Sequence, residues 1–261
     1  MKKKYKSVSI TSLQIMLLSF LFLSSCAGCK NFGDSNSDPI THNEFDELLN
    51  KHVSKEGIVD YEGFKSDKKA LQVYLNKVSN TPPNDNWSRE QQLAYWINAY
   101  NAYTVKLIVD NYPLESIQDL HPTLKIPGVN TIWHKKFFKI GDEKMSLGDI
   151  EHDILRKKFE EPRIHFAINC ASKSCPKLLN KAYTAENIDK QLLSQTKAFL
   201  ADGSRNNIEK NQVKVSKIFK WFEGDFTENG TLIDFLNKYS DTEINSDASI
   251  EYMEYDWSLN E

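Results

Sequence analysis

The spacing of apolar positions changes along the chain, and the changes mark its elements. Residues 43–52 place Phe45, Leu48, Leu49 and His52 on one side of a helix, and residues 57–61 read as a short strand or turn. Leu71, Tyr74, Leu75 and Val78 recur at three-to-four spacing in a second helix, which Asp67 is placed to cap and which stops before Pro82 and Pro83. Ser88 and Gln91 form a capping-box pattern ahead of the longest apolar stretch, residues 93–109, which Asn111 and Pro113 end. Residues 137–140 and 144–147 flank Gly141 and Asp142 as a hairpin, and Ser146 with Asp149 opens a helix reaching about Lys158. Residues 164–169 are a short apolar run suited to an inner strand, which empties into the polar turn 171–174. Thr184 is placed to cap a helix through about Leu200. A second hairpin around Asn211, a helix over 232–239 and a strand over 250–255 complete the chain. Helices and strands mix without regular alternation, which predicts an α+β fold: a helix-rich single domain around a small, mainly antiparallel sheet.

Within these elements, three polar groups stand where apolar ones belong. In the helix over 93–109 nearly every face is apolar or aromatic, so Asn98 and Asn101 fall on a buried surface. Their amides either clamp neighbouring backbone or help to line a site, because an unsatisfied buried amide costs about 1 to 3 kcal/mol. At 100° per residue, Glu151 lies in the sector of Leu147, Ile154 and Leu155, with His152 at its edge. A carboxylate there pairs with a cation, Arg163 or Arg156 being the candidates, or shifts its pKa upward for a functional use. In the predicted strand, Ile164, Phe166, Ile168 and Cys170 share one face and His165 and Asn169 the other. That alternation argues against a direct His165–Cys170 dyad and leaves Cys170 at a strand end, open to His152 or His134.

The N-terminus carries a different signal. Lys2, Lys3, Lys4 and Lys6 precede an apolar run over 13–23 and then Ser24, Ser25 and Cys26, which is the layout of an export signal. Eleven residues are too few to span a bilayer, which takes about 20, so the run predicts a cleaved signal over residues 1–25. Leu23-Ser24-Ser25-Cys26 resembles the lipobox of bacterial lipoproteins, and the resemblance implies acylation (palmitate and related chains) at Cys26 and anchoring to the outer membrane. Residues 26–40 read as a lipidated, flexible tether, and 41–261 as the folded domain.

Composition narrows the classes further. The chain has 261 residues, 40% hydrophobic and 26% charged, an ordinary globular balance. Of 33 basic residues four lie in the first 25 positions, so the remainder carries 29 against 36 acidic, a formal charge of −7. That argues against nucleic acid as a partner. No phosphate-binding glycine loop, nucleophile-elbow motif or zinc-protease motif is present, and no cofactor is expected. Cys170 and Cys175 are five apart and can pair, and they lack the spacing of common zinc sites, so no metal is expected.

Five blocks resemble the DUF547 family, a domain of unknown function: residues 94–105 (AYWINAYNAYTV), 146–156 (SLGDIEHDILR), 162–176 (PRIHFAINCASKSCP), 216–226 (SKIFKWFEGDF) and 255–260 (YDWSLN). The resemblance assigns no activity, but its blocks contain Asn98, Asn101, Glu151, His152, His165 and Cys170. Two functional readings follow. One is a non-enzymatic binding or scaffolding lipoprotein, with Trp133, Trp221 and Trp257 as contacts for peptidoglycan, another glycan or a protein. The other is a thiol-dependent hydrolase or transferase, in which Cys170 attacks an amide or acyl carbonyl, His152 or His165 moves the proton, and an Asn or Glu151 orients the ring.

Overall fold

A computed structural model describes Phe32 and residues 36–122 and 130–261. The predicted signal over 1–25, the acylation site Cys26 and Cys29 lie outside the described residues. Helices α2 (Tyr61–Ser66) and α3 (Lys68–Asn80) pack on α4 (Arg89–Asn111), and α1 (Asn43–His52) packs on α2 and α3. The α4 capping box forms as its pattern predicts: the Gln91 N–H donates to the Ser88 hydroxyl at 3.2 Å, and the Ser88 N–H to the Gln91 side chain at 2.7 Å. Every residue of α4 from Gln92 to Val105 is buried. A helix so enclosed needs neighbours on all sides, and each large side chain it buries contributes about 2 kcal/mol. Polar atoms on it are matched: the Tyr95 hydroxyl donates to the Val78 carbonyl at 2.6 Å.

Strands β1 (Phe138–Ile140) and β2 (Glu143–Met145) form an antiparallel hairpin about Gly141, whose φ of 56° suits a residue without Cβ. After it the chain runs through a π-helix, Asp149–Leu155, into the short α5 (Arg156–Phe159). A 3₁₀ turn, Pro162–Phe166, and a long loop lead to α6 (Ile188–Leu200). The last third comprises β3 (Asn207–Ile208), β4 (Gln212–Val215), α7 (Ile218–Trp221), α8 (Glu223–Phe226), α9 (Leu232–Tyr239) and β5 (Ser249–Tyr252). Its sheet has the order β3-β4-β5, antiparallel in the first pair and parallel in the second. The fold is α+β, helix-rich with small sheets that are mostly antiparallel.

Two apolar clusters fill the molecule. The larger surrounds α4, and the smaller is built on Phe166, Phe199, Phe219, Phe226 and Leu236. The turn after α5 stitches them together: Ile164, Ala167 and Ile168 belong to the first and Phe166 to the second. The C-terminal segment returns across both, with Leu259 N–H donating to the Glu115 carbonyl and Tyr61 hydroxyl to Asn260.

Several elements differ from the sequence expectation. Residues 164–169 form no strand; Pro162 starts a 3₁₀ turn and all six are buried, so two-fold alternation sorts nothing there. The segment over 149–155 is a π-helix rather than α, although the Ser146–Asp149 reciprocal bonds that open it are made at 2.7 and 3.1 Å. Asp67 precedes α3 without capping it, because Lys51 and His52 take its carboxylate at 2.6 and 2.7 Å. Likewise α6 starts at Ile188, with Thr184 three residues ahead of its N-cap Asn187. The end of the predicted tether is docked on the domain: the Phe32 ring meets Trp96, and the Ser37 carbonyl accepts from the Trp87 indole at 2.7 Å.

Candidate functional site

A cavity of about 230 Å3 opens where the two apolar clusters meet. One wall is aromatic. Trp133 meets Trp257 at 5.6 Å between ring centroids, Trp257 stacks on Trp221 at 5.7 Å, and Tyr255 touches both Trp221 and Trp257. Phe222 with His152 and His165 beside it, Tyr100, Glu151 and the Cys170–Cys175 disulfide complete the lining. The three tryptophans named from the sequence as partner contacts are collected by the fold around one hollow.

Local structure explains how each polar group arrives there. The π-helix adds a residue to the turn, so that the Arg156 N–H donates to the Glu151 carbonyl five residues back. Such turns recur at functional sites, and both Glu151 and His152 lie in this one. Gly148, just before it, packs on the Trp133 backbone: a Cβ there would stand 2.9 Å from the Trp133 carbonyl oxygen. Beyond Cys170, Ala171 has a φ of 61°, a left-handed conformation uncommon for alanine, and its N–H is held by the Asn169 side chain at 2.8 Å.

Glu151 is 7% exposed and, among the described residues, accepts one hydrogen bond, from the Tyr100 hydroxyl at 3.2 Å. Burial pushes its carboxyl up to about 7 and Asp225 adds to the rise, against the pull of Tyr100 and Arg156. Of the two alternatives, the ion pair is not formed among the described residues. Arg163 binds Glu161 and Asp189, and Arg156 grips Asp225 through Nε at 2.6 Å and Nη2 at 2.7 Å. Asp225 accepts a third bond from His165 Nε2 at 2.7 Å. Although burial opposes its ionisation, Arg156 and His165 hold this carboxyl well below the usual range.

Burial disfavours the charged form of both histidines. Burial lowers the His165 pKa despite Asp225, and its ring stacks on Phe222 at 4.0 Å. Burial and Arg156 lower that of His152. Arg156 Nη1 lies 3.2 Å from His152 Nδ1, and a guanidinium only donates, so Nδ1 accepts and the proton sits on Nε2. His134 also lines the cavity, with Nδ1 2.7 Å from the Thr131 hydroxyl.

Asn98 and Asn101 do not line it. Asn98 clamps the Tyr183 backbone, donating to its carbonyl at 2.8 Å and accepting from its N–H at 2.9 Å. Asn101 does the same to Ala167 and Asn169, at 2.9 and 2.8 Å. Of the two uses open to them, they serve the backbone.

Cys170 is joined to Cys175 with a Cα separation of 6.2 Å, so it presents no thiolate in this state. Its sulfur lies 3.3 Å from the hydroxyls of Ser172 and Tyr255, and among the described residues no histidine nitrogen is bonded to it. Asp225, Tyr255 and Tyr100 are the site residues that sequence reasoning missed. Each lies inside a quoted block, which was the available signal. Among the described residues no three His, Cys, Asp or Glu side chains are grouped to hold a metal ion, and no helix is long and apolar enough to cross a membrane.

No curated protein and no solved structure matches the chain. Three of the five blocks, with Glu151, His152, His165 and Cys170, fall in the stretch a family model recognises, whereas the blocks that supply Asp225, Tyr255, Trp221 and Trp257 follow it. Residues 84–200 match the model of the family described as "Protein of unknown function, DUF547", which supports the family that the sequence blocks resemble.

Proposed function

We propose that this chain is a lipid-anchored binding protein of the cell envelope, and that it takes one small, largely apolar ligand into the aromatic cavity. The observation that carries the reading is the convergence of Trp133, Trp221 and Trp257 on a hollow with a buried carboxyl and two histidines in its lining. An apolar recess with a few convergent polar groups is the general form of a small-molecule site. Naphthol, a flat neutral probe, tests it by saturation-transfer NMR. Trp221 is 45% exposed, so Trp221→Ala spares the fold. The variant should weaken naphthol binding at least fivefold at an unchanged melting temperature; equal binding by both proteins refutes the site.

The anchoring rests on the lipobox-like sequence at Cys26. One acyl chain binds a membrane only marginally and two hold it, since each buried methylene contributes about 0.8 kcal/mol. Cys26→Ser should move the protein from the outer-membrane pellet to the soluble envelope fraction and abolish labelling by a palmitate analogue. Retention in the pellet would count against the anchor.

The thiol-dependent hydrolase reading keeps one supporting observation, the Cys170 sulfur at the cavity between two hydroxyls. It requires the disulfide to open first, because the thiolate is the nucleophile.

A further inference from the structure

We infer that the cavity selects an organic cation, a compact ammonium group seated among the aromatic rings with Glu151 as its counter-charge. This rests on the binding reading above and names the ligand class. Its geometric basis is the combination of two features in one hollow. Aromatic faces attract cations through the negative charge of the π-system, tryptophan most strongly, and desolvation increases the attraction. Trp133, Trp221, Trp257, Tyr255, Tyr100 and Phe222 all line the cavity. The second feature is the carboxyl of Glu151, more than nine-tenths buried and lining the same space. Its one hydrogen bond, from Tyr100, goes to Oε2, and no cation among the described residues lies within ion-pair distance of it.

The surrounding charges leave this carboxyl as the group to be neutralised. On its own helical stretch burial and Arg156 disfavour a charge on His152, whose Nδ1 accepts from Arg156. From α5, Arg156 is matched by Asp225 of α8 in a two-pronged pair, and His165, whose charged form burial disfavours, donates to the same carboxylate. From α4 and the C-terminal segment come the hydroxyls of Tyr100 and Tyr255, whose pKa values burial raises, and His134 stands on the loop before β1. With Arg156 and Asp225 cancelling, an ionised Glu151 leaves one negative charge, and a monovalent cation brings the sum to zero. The carboxyl pushed up to about 7 fits this arrangement, because an arriving cation replaces the proton that burial otherwise retains.

Choline and its uncharged carbon isostere, 3,3-dimethylbutan-1-ol, share shape and differ in charge. Titrated into the full chain and followed by tryptophan fluorescence and calorimetry, choline should bind at least tenfold more tightly than the isostere at pH 8. Its affinity should fall about tenfold from pH 8 to pH 6, as the proton competes for Glu151. Glu151→Gln should lose both the preference and the pH dependence while still binding the isostere, which also shows that the variant is folded. Equal binding of the two probes by the unaltered protein, or an undiminished preference in Glu151→Gln, overturns the inference. If naphthol binds and choline does not, the cation reading fails and the cavity reading stands; if naphthol fails as well, both fall.

Discussion

A carboxyl group 7% exposed, with one neutral hydrogen bond, is held protonated more readily than ionised, and Glu151 meets that description. The consequence for stability has a definite sign. A carboxyl raised in the folded state from 4.5 to about 7 binds more protons than the unfolded chain between those values. Stability therefore declines as pH rises through that window and levels off above it. The integrated cost is about 3 to 4 kcal/mol at most, since one pKa unit corresponds to about 1.4 kcal/mol. Glu151→Gln, which still accepts from the Tyr100 hydroxyl, should be more stable than the unaltered protein by about 1 to 3 kcal/mol at pH 8 and nearly equal at pH 4.5. Urea unfolding at the two pH values measures the difference, and a variant less stable at pH 8 contradicts the assignment. Asp225 has the opposite character, since a carboxylate accepting from Arg156 and His165 stays ionised.

Among the elements, the turn after α5 and the loop that follows matter most to the site. They bring His165, Ile168, Cys170 and Cys175 to one cavity and carry the chain from one apolar cluster to the other. Asn101 ties this turn to α4 through Ala167 and Asn169, and Asn169 in turn holds Ala171 in its left-handed conformation. The disulfide closes the loop: the Cys170 N–H donates to the Cys175 sulfur at 2.8 Å, and Arg205 Nε donates to the Cys175 carbonyl at 2.9 Å. With the loop pinned by these bonds, the sulfurs should remain paired in protein isolated without reductant. Alkylation in denaturant should then modify neither Cys170 nor Cys175 without reductant and both with it, as read by peptide mass spectrometry. A Cys170 alkylated without reductant would revive the thiol-dependent reading.

At the scale of the molecule, the cavity is shared property. Tyr100 and Ile168 belong to the first apolar cluster and Ile218 to the second, and the C-terminal segment laid over both contributes Tyr255 and Trp257. Clusters joined by a buried turn and a common cavity should unfold together, so melting followed by backbone and by aromatic circular dichroism should give coincident single transitions. Naphthol at a hundred times its dissociation constant should stabilise that one transition by about 2.7 kcal/mol. Two separated transitions, with only one responding to naphthol, would show the halves to be independent.

How far the sequence determines this protein follows from the range of the forces involved. Helix caps, hairpins and amphipathic stripes depend on residues a few positions apart, and α1, α4, the β1–β2 hairpin and α9 follow their patterns. The burial of Asn98, Asn101 and Glu151 was legible for the same reason, since the apolar residues around them in sequence also surround them on a helix. Residues 164–169 were misread because a short apolar run has no length over which strand and helix periods diverge, and its packing against two clusters decided the outcome. The partners of the polar groups could not be read at all. Whether Arg156 meets Glu151 or Asp225, and whether His165 meets Cys170 or Asp225, depends on contacts between segments up to 69 positions apart, which periodicity does not encode. Local patterning thus specified the elements and which polar groups would be buried, and only the tertiary structure, by bringing distant segments into hydrogen-bonding range, decided what each of them touches.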